Sequence, residues 1–301
     1  IVGELPDERL DLHKEGDNLV ILWPGGQLTL EPVAPYQDYP PEPLVESEKL
    51  GPAVTLDLPI ETVRALVRQV IPCCATDLDR PILTTLAITS RDGQLEAAGA
   101  NGYRLGVLPL TAWEGPPLSV LTSPRLWLLA LKYADKSTET VRVQLGRVVS
   151  RIEVGYTSIT TLNVQGTYPN YCQLIPASFM HSAVVARRDL LAAVKRANTV
   201  ARDGSRDVRL IGDVDCLTVL ARAEGVGEIR AELPAHTIVG SKEGLRIAFD
   251  GNYLVALLNG YSCELVKLEV NGQSNPGVWR AADSGGGPSA LTVLMPMFVQ
   301  W

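Results

Sequence analysis

A chain of 301 residues, 46 % hydrophobic and 20 % charged, has the length of two ordinary domains and the composition of a globular protein that folds in water. No apolar run reaches the ~18 residues that span a bilayer, and the N-terminus carries no basic-then-apolar signal pattern, so the expected setting is the cytosol. The net charge of −7 argues at first against nucleic acid as a partner; five cysteines (Cys73, Cys74, Cys172, Cys216, Cys263), odd in number and without C-x-x-C spacing, read as buried thiols.

Residues 1–46 gather acidic side chains (Glu4, Asp7, Glu8, Asp11, Glu15, Asp17) and run into a proline-stiffened linker, Glu31–Pro52. A helical stretch over Leu58–Ile71 follows. Ile60, Val63, Leu66, Val67 and Val70 form its apolar stripe, which leaves Arg64 and Arg68 one turn apart on the polar face. Strand-like runs come next at Thr84–Thr89 and Gln94–Gly99, with the turn signal Asp92-Gly93 between them. Ser123-Pro124 then supplies an N-cap hydroxyl and a first-turn proline for a second helix, to Tyr133. Leu126, Leu129 and Ala130 face a core there, with Arg125 and Lys132 on another side; Val141–Leu145 and Ser150–Val154 alternate as strands.

After a boundary near Pro176–Ser182, the order begins again from about Val184. A helix carries Arg188, Lys195 and Arg202 at seven-residue steps. Strands including Leu245–Phe249 follow, then a second helix from the N-cap Asp250 through Leu254, Leu257 and Leu258 to Gly260, without a base, then a strand over Cys263–Val270. The segment Ala281–Ser289, with Gly285-Gly286-Gly287, is a flexible hairpin loop that lacks the strand–loop–helix context of a phosphate site. Aligning Val67 with Val194, Leu86 with Leu210 and Trp127 with Leu254 gives offsets of roughly 125 residues, the mark of a duplicated unit. Each unit holds two helices and about eight short strands, an α+β fold with antiparallel sheets; residues 1–46 look like the tail of a third copy. Both copies put positive charge on their first helix, so a phosphate-binding face is compatible with an acidic chain whose charges are segregated. The three histidines (His13, His181, His236) are isolated and no catalytic or metal-ligand spacing occurs. This favours binding over catalysis, without a cofactor.

The ordered motifs resemble one family. Arg80-Pro81-Ile82-Leu83, followed by Ala100-Asn101-Gly102-Tyr103-Arg104-Leu105, resembles the middle domain of the bacterial DNA polymerase III β subunit, the replicative sliding clamp, where R-P-[IV]-L precedes T-D-G-[HY]-R-L. Tyr168-Pro169-Asn170-Tyr171, ending in Ile175-Pro176, is similar to that family's junction between middle and last domains, and Leu294-Met295-Pro296-Met297 to its C-terminal signature. Leu5-Pro6 and Tyr36–Pro40 resemble the closing hairpins of its first domain.

The resemblance implies three clamp domains, over 1–47 (the end of the first), 48–176 (the middle) and 177–301 (the last), arranged as the arc of a homo-oligomeric, dimeric ring. Its helices would line a hole around duplex DNA, with Arg64, Arg68, Arg80, Arg125, Lys132, Arg188, Lys195 and Arg202 contacting phosphates without reading sequence. A pocket between the middle and last domains would receive short linear motifs from the polymerase III catalytic subunit, the clamp loader and repair polymerases. By motif position it comprises Leu83, Gly102, Tyr103, Arg104, Leu105, Pro176, Val293, Met295, Pro296 and Met297. Two departures stand out. Ala100-Asn101 occupies the place of Thr-Asp, and Phe298, Val299, Gln300 and Trp301 follow where the family has a basic residue, a tail that either covers the pocket or extends it. A complete first domain would need on the order of 75 more residues. The expectations are therefore a truncated clamp, a clamp that closes its ring differently, or a clamp-like scaffold that binds peptides and no longer closes a ring.

Overall fold

The computed structural model describes residue 5 and residues 9–32, 53–202, 204–240, 244–283 and 287–301. Pro6, Tyr36–Pro40, most of the proline-rich linker and Gly285-Gly286 lie outside the described residues. The chain separates into two compact units, Ile1–Leu44 and Val45–Trp301. The first holds an antiparallel meander of β1 (Asp11–Glu15), β2 (Asn18–Trp23) and β3 (Gly26–Leu30), with Val20 and Ile21 buried.

In the second unit the order β-α-β-β-β-β-α-β-β-β occurs twice. The first run is β4 (Val54–Pro59), α1 (Ile60–Ala65), β5 (Leu86–Arg91), β6 (Gln94–Ala100), β7 (Arg104–Ala112), β8 (Ser119–Thr122), α2 (Pro124–Tyr133), β9 (Thr140–Leu145), β10 (Val149–Val154) and β11 (Thr157–Leu162). The second is β12 (His181–Ala186), α3 (Arg187–Ala201), β13 (Asp207–Asp213), β14 (Cys216–Ala223), β15 (Gly227–Val239), β16 (Leu245–Asp250), α4 (Gly251–Gly260), β17 (Leu265–Val270), β18 (Gly277–Ala281) and β19 (Leu291–Leu294). The pairings repeat too: β4 with β9 matches β12 with β17, and β5 with β6 and β8 matches β13 with β14 and β16. The duplication read from sequence is thus a duplication of hydrogen-bonded topology. A four-stranded sheet runs β11-β10-β9-β4, and a twelve-stranded sheet crosses from one copy to the other where β19 pairs with β7, Val293 opposite Leu105.

Several expected boundaries move, two of them for reasons visible in the local chemistry, and the strand expected from Cys263 starts at Leu265. Leu58 and Pro59 end strand β4, and α1 starts only at Ile60. Pro72 has no N–H to offer the Arg68 carbonyl four residues back, and its ring crowds that turn. The helix widens into a π turn over Leu66–Val70 and closes with a 3-10 turn, Ile71–Cys73, instead of running uniformly to Ile71. The run expected as a strand from Thr84 begins as a 3-10 turn, Pro81–Thr84. There Thr84 Oγ1 donates to the Pro81 carbonyl (2.7 Å) and Thr85 Oγ1 to that of Ile82 (2.6 Å), hydroxyl bonds that compete with the ladder and delay β5 to Leu86.

Each copy packs its helices over its own apolar core, one around Leu66, Trp127 and Ile152, the other around Val194, Phe249 and Trp279. Trp127 is fully buried and satisfies its indole N–H on Thr122 Oγ1 at 2.9 Å. Within the copies α2 packs on α1 and α4 on α3, and between the copies the π turn packs on α4, which joins the helices of both in one layer. The junction is close. A Cβ on Gly260 would lie 2.6 Å from the Arg68 carbonyl oxygen, and buried Gln69 Oε1 accepts the Ala290 N–H at 2.7 Å.

Candidate functional site

The turn from β6 to β7 is built by Asn101 and Gly102. Asn101 Oδ1 accepts the N–H groups of both Tyr103 and Arg104 at 3.0 Å, an Asx turn, while Gly102 takes φ +91°, where a side chain would be strained. The Asn101 departure therefore removes a charge but keeps the acceptor that shapes the turn. The turn is tied to the end of the chain: the Met295 N–H donates to the Tyr103 carbonyl at 2.8 Å, one step beyond the β19–β7 ladder.

Strand alternation then divides the expected pocket residues. Leu105 and Val293 face the same side, in a cluster with Tyr171, Val278, Ile175 and Phe179, and Pro176 follows Ile175 half-buried. Leu83 is half-buried in the 3-10 turn before β5. Tyr103 (64 % exposed) and Met295 (41 % exposed) form a rim, and Pro296 and Met297 are half-buried beyond it. Arg104 turns away from Leu105 and Val293. It points to the helix side, its guanidinium 4.4 Å from the Tyr253 ring centroid, and lines a narrow cleft with Arg68, Gln69, Tyr253 and Leu294. Tyr253, whose ring also lies 6.4 Å from that of Tyr103, was missed in the sequence because nothing local marks it. Arg80 stands beside this turn, an Nη1 lying 3.6 Å from where a Gly102 Cβ would sit.

The remaining bases lie on that layer. In α3, Leu190, Ala193, Val194, Ala197 and Ala201 are buried and Arg188 and Lys195 exposed, as is Arg202 one residue past its end; Arg196, missed in the sequence, is also exposed. Arg187 instead holds structure, donating to the carbonyls of Cys263 (2.9 Å) and Leu258 (3.1 Å). Arg125 and Lys132 are exposed on α2, and Arg68 on the π turn, whereas Arg64 is half-buried and pairs with Glu61 at 3.3 Å. Taken together, α1, the π turn, α2, α3 and α4 carry eight bases and two acids, Glu61 and Asp189, in a chain with 27 bases and 34 acids. Charge is segregated onto the helices, which lets an acidic protein offer a cationic face.

Cys73 and Cys74 lie beneath this region, and burial pushes both thiols up to about 12, so they stay neutral and unreactive at physiological pH. Among the described residues no cluster of three His, Cys, Asp or Glu side chains could hold a metal, and no helix is long and apolar enough to cross a membrane.

Comparison with known proteins agrees over most of the chain. The family description "DNA polymerase III beta subunit, central domain" matches residues 57–170, and "DNA polymerase III beta subunit, C-terminal domain" matches residues 172–297. A beta sliding clamp of Synechococcus elongatus is 28 % identical over 306 residues, covering 98 % of this chain and 77 % of the relative; one from Synechocystis is 25 % identical, covering 86 % and 68 %. The crystal structure of the DNA polymerase β subunit of Streptococcus pyogenes superposes with a TM-score of 0.85 at 19 % identity, covering 99 % of this chain and 79 % of that one. That of Thermotoga maritima gives 0.84 at 22 %, covering 99 % and 78 %.

Proposed function

The chain belongs to the DNA polymerase III β-subunit family, and from that premise we propose that it is a DNA sliding clamp: an accessory factor, not a catalyst, that encircles duplex DNA in the cytoplasm and tethers the replicative polymerase. The observation that carries this reading is the concentration of bases on the helices of an otherwise acidic protein. A sliding ring needs phosphate contacts that are weak and interchangeable, and exposed Lys and Arg on one helical layer supply them without base readout. Arg68, Arg125, Lys132, Arg188, Lys195 and Arg202 fill that role; Arg64, half neutralised by Glu61, contributes less. The ring is a homodimer of chains divided at about residues 47 and 176. Partners (the polymerase III catalytic subunit, the clamp loader and repair polymerases) dock short linear motifs at the surface formed by Leu83, Gly102, Tyr103, Leu105, Pro176, Val293 and Met295–Met297, with Arg80 beside it. Tyr253 and Arg104 brace it from the helix side.

The test is retention on DNA. With its loader, the protein is expected to stay on covalently closed circular duplex through gel filtration in rising salt, and to run off the same plasmid once linearised. Equal loss from both forms would sink the encircling ring and leave the clamp-like peptide-binding scaffold.

A further inference from the structure

The segment that begins at Met297 is pinned to strands β16 and β13. The Met297 N–H donates to the Ala248 carbonyl of β16 at 2.8 Å. From β13, Arg209 Nη1 donates to the Gln300 carbonyl at 2.7 Å, and its guanidinium stands 5.7 Å from the centroid of the Trp301 ring. Arg209 is itself held: its Nε donates at 2.8 Å to Asp207 Oδ2, a carboxylate whose side chain is only 2 % exposed. A planar guanidinium bound along one edge by a buried carboxylate presents its remaining N–H groups and its face in a set direction.

Between these anchors stands Phe298, 89 % exposed. A large apolar side chain whose backbone is fastened on both sides cannot swing away to bury itself. It lies three residues beyond Met295, so roughly 10 Å of extended chain at most separates it from the Tyr103–Met295 rim. Tyr103, Met295 and Phe298 therefore offer neighbouring exposed apolar groups, and the segment Phe298-Val299-Gln300-Trp301 bears no charged side chain.

We infer that Arg209 holds Phe298–Trp301 as an extension of the partner-peptide site, with Phe298 a further contact for an apolar side chain of the same linear motif. The inference rests on the peptide-site reading above. Arg209 is a positioning residue here: it touches Gln300 and Trp301, and Phe298 beside them touches the partner.

The experiment titrates a labelled peptide, copied from the clamp-binding segment of the polymerase III catalytic subunit, into the full chain and its variants. Phe298→Ala, which disturbs no buried contact, is expected to weaken binding roughly fivefold to tenfold, the worth of a partly covered phenylalanine. Arg209→Ala should weaken it similarly and speed hydrogen exchange at the Met297–Trp301 amides. Trp301→Ala, which leaves the Asp207–Arg209 pair intact, should shift both readouts the same way if Arg209→Ala fails to fold. The double variant Arg209→Ala/Phe298→Ala should bind no worse than Phe298→Ala alone, because one residue acts through the other. Additive losses in the double variant would overturn the positioning role. Full affinity in Phe298→Ala alongside a weakened Met295→Ala would overturn the extension while leaving the peptide site standing; full affinity in both would remove the peptide site itself.

Discussion

Replacing Gln69 with leucine tests whether the two copies of the fold are locked together as described. Gln69 sits in the π turn with its side chain buried, and its Oε1 accepts the N–H of Ala290, itself 1 % exposed, at 2.7 Å. Leucine keeps the volume and removes the acceptor, so the Ala290 N–H is left buried without a partner, a cost of about 1–3 kcal/mol. Taking about 2 kcal/mol, and a urea dependence of roughly 2 kcal/mol per molar, the unfolding midpoint should fall by about 1 M. The same junction sets the approach of β19 to β7, so the Ala290 amide should also lose hydrogen-exchange protection. Gly260→Ala strains the junction from the other side, because the added Cβ would stand 2.6 Å from the backbone oxygen of Arg68; overpacking of this kind costs about 1–3 kcal/mol. Unchanged midpoints in both variants, with Ala290 still protected, would refute the reasoning.

Three further outcomes are expected. Desolvation raises Cys73 and Cys74 from an ordinary 9.0 to about 12, each opposed by Arg104 and the second raised further by Cys73. The folded thiols stay neutral while unfolded ones ionise, so their contribution to stability is whole below pH 9 and is lost between pH 9 and 12. The loss is at most about 1.4 kcal/mol per pH unit for each thiol; urea melts across this range should show it, and rapid thiol modification of the native protein at pH 8 would contradict it. Lys195→Ala and Arg125→Ala should each lower the salt dependence of DNA retention by about one unit in the log–log slope, without altering sequence preference; an unchanged slope in both would remove the helices from the DNA surface. Asn101→Ala should cost about 1 kcal/mol of stability through the turn's lost hydrogen bonds and weaken peptide binding, whereas Asn101→Asp keeps the acceptor and should behave like the parent; an aspartate variant as damaged as the alanine one would discount the Asx turn.

Periodicity and caps made much of the fold legible before any coordinates. The N-caps at Ser123 and Asp250, the buried stripe of α3 and the twice-repeated order of helices and strands all depend on residues within a turn or two of one another, or on comparison of one copy with the other. The departures were local competitions that a pattern does not weigh: Pro72 against helix continuation, and the Thr84 and Thr85 hydroxyls against the ladder. The basic face was legible in part, since seven-residue steps mark Arg188, Lys195 and Arg202, but adjacency of the helices across the junction was not.

By itself the sequence determined which segments are helix or strand, that the unit is duplicated, and which short motifs stand at its turns, because local propensity and side-chain periodicity are short-range properties. The tertiary structure alone decided that Arg104 meets Tyr253, that Arg80 stands beside Gly102, that Gln69 reaches Ala290 and that Arg209 secures the segment around Phe298. Each of these joins residues far apart in the chain, and their meeting follows from strand register and from the packing of one copy against the other. A side chain's face is set by alternation along its strand, but what it meets on that face is set by whatever the rest of the fold brings there.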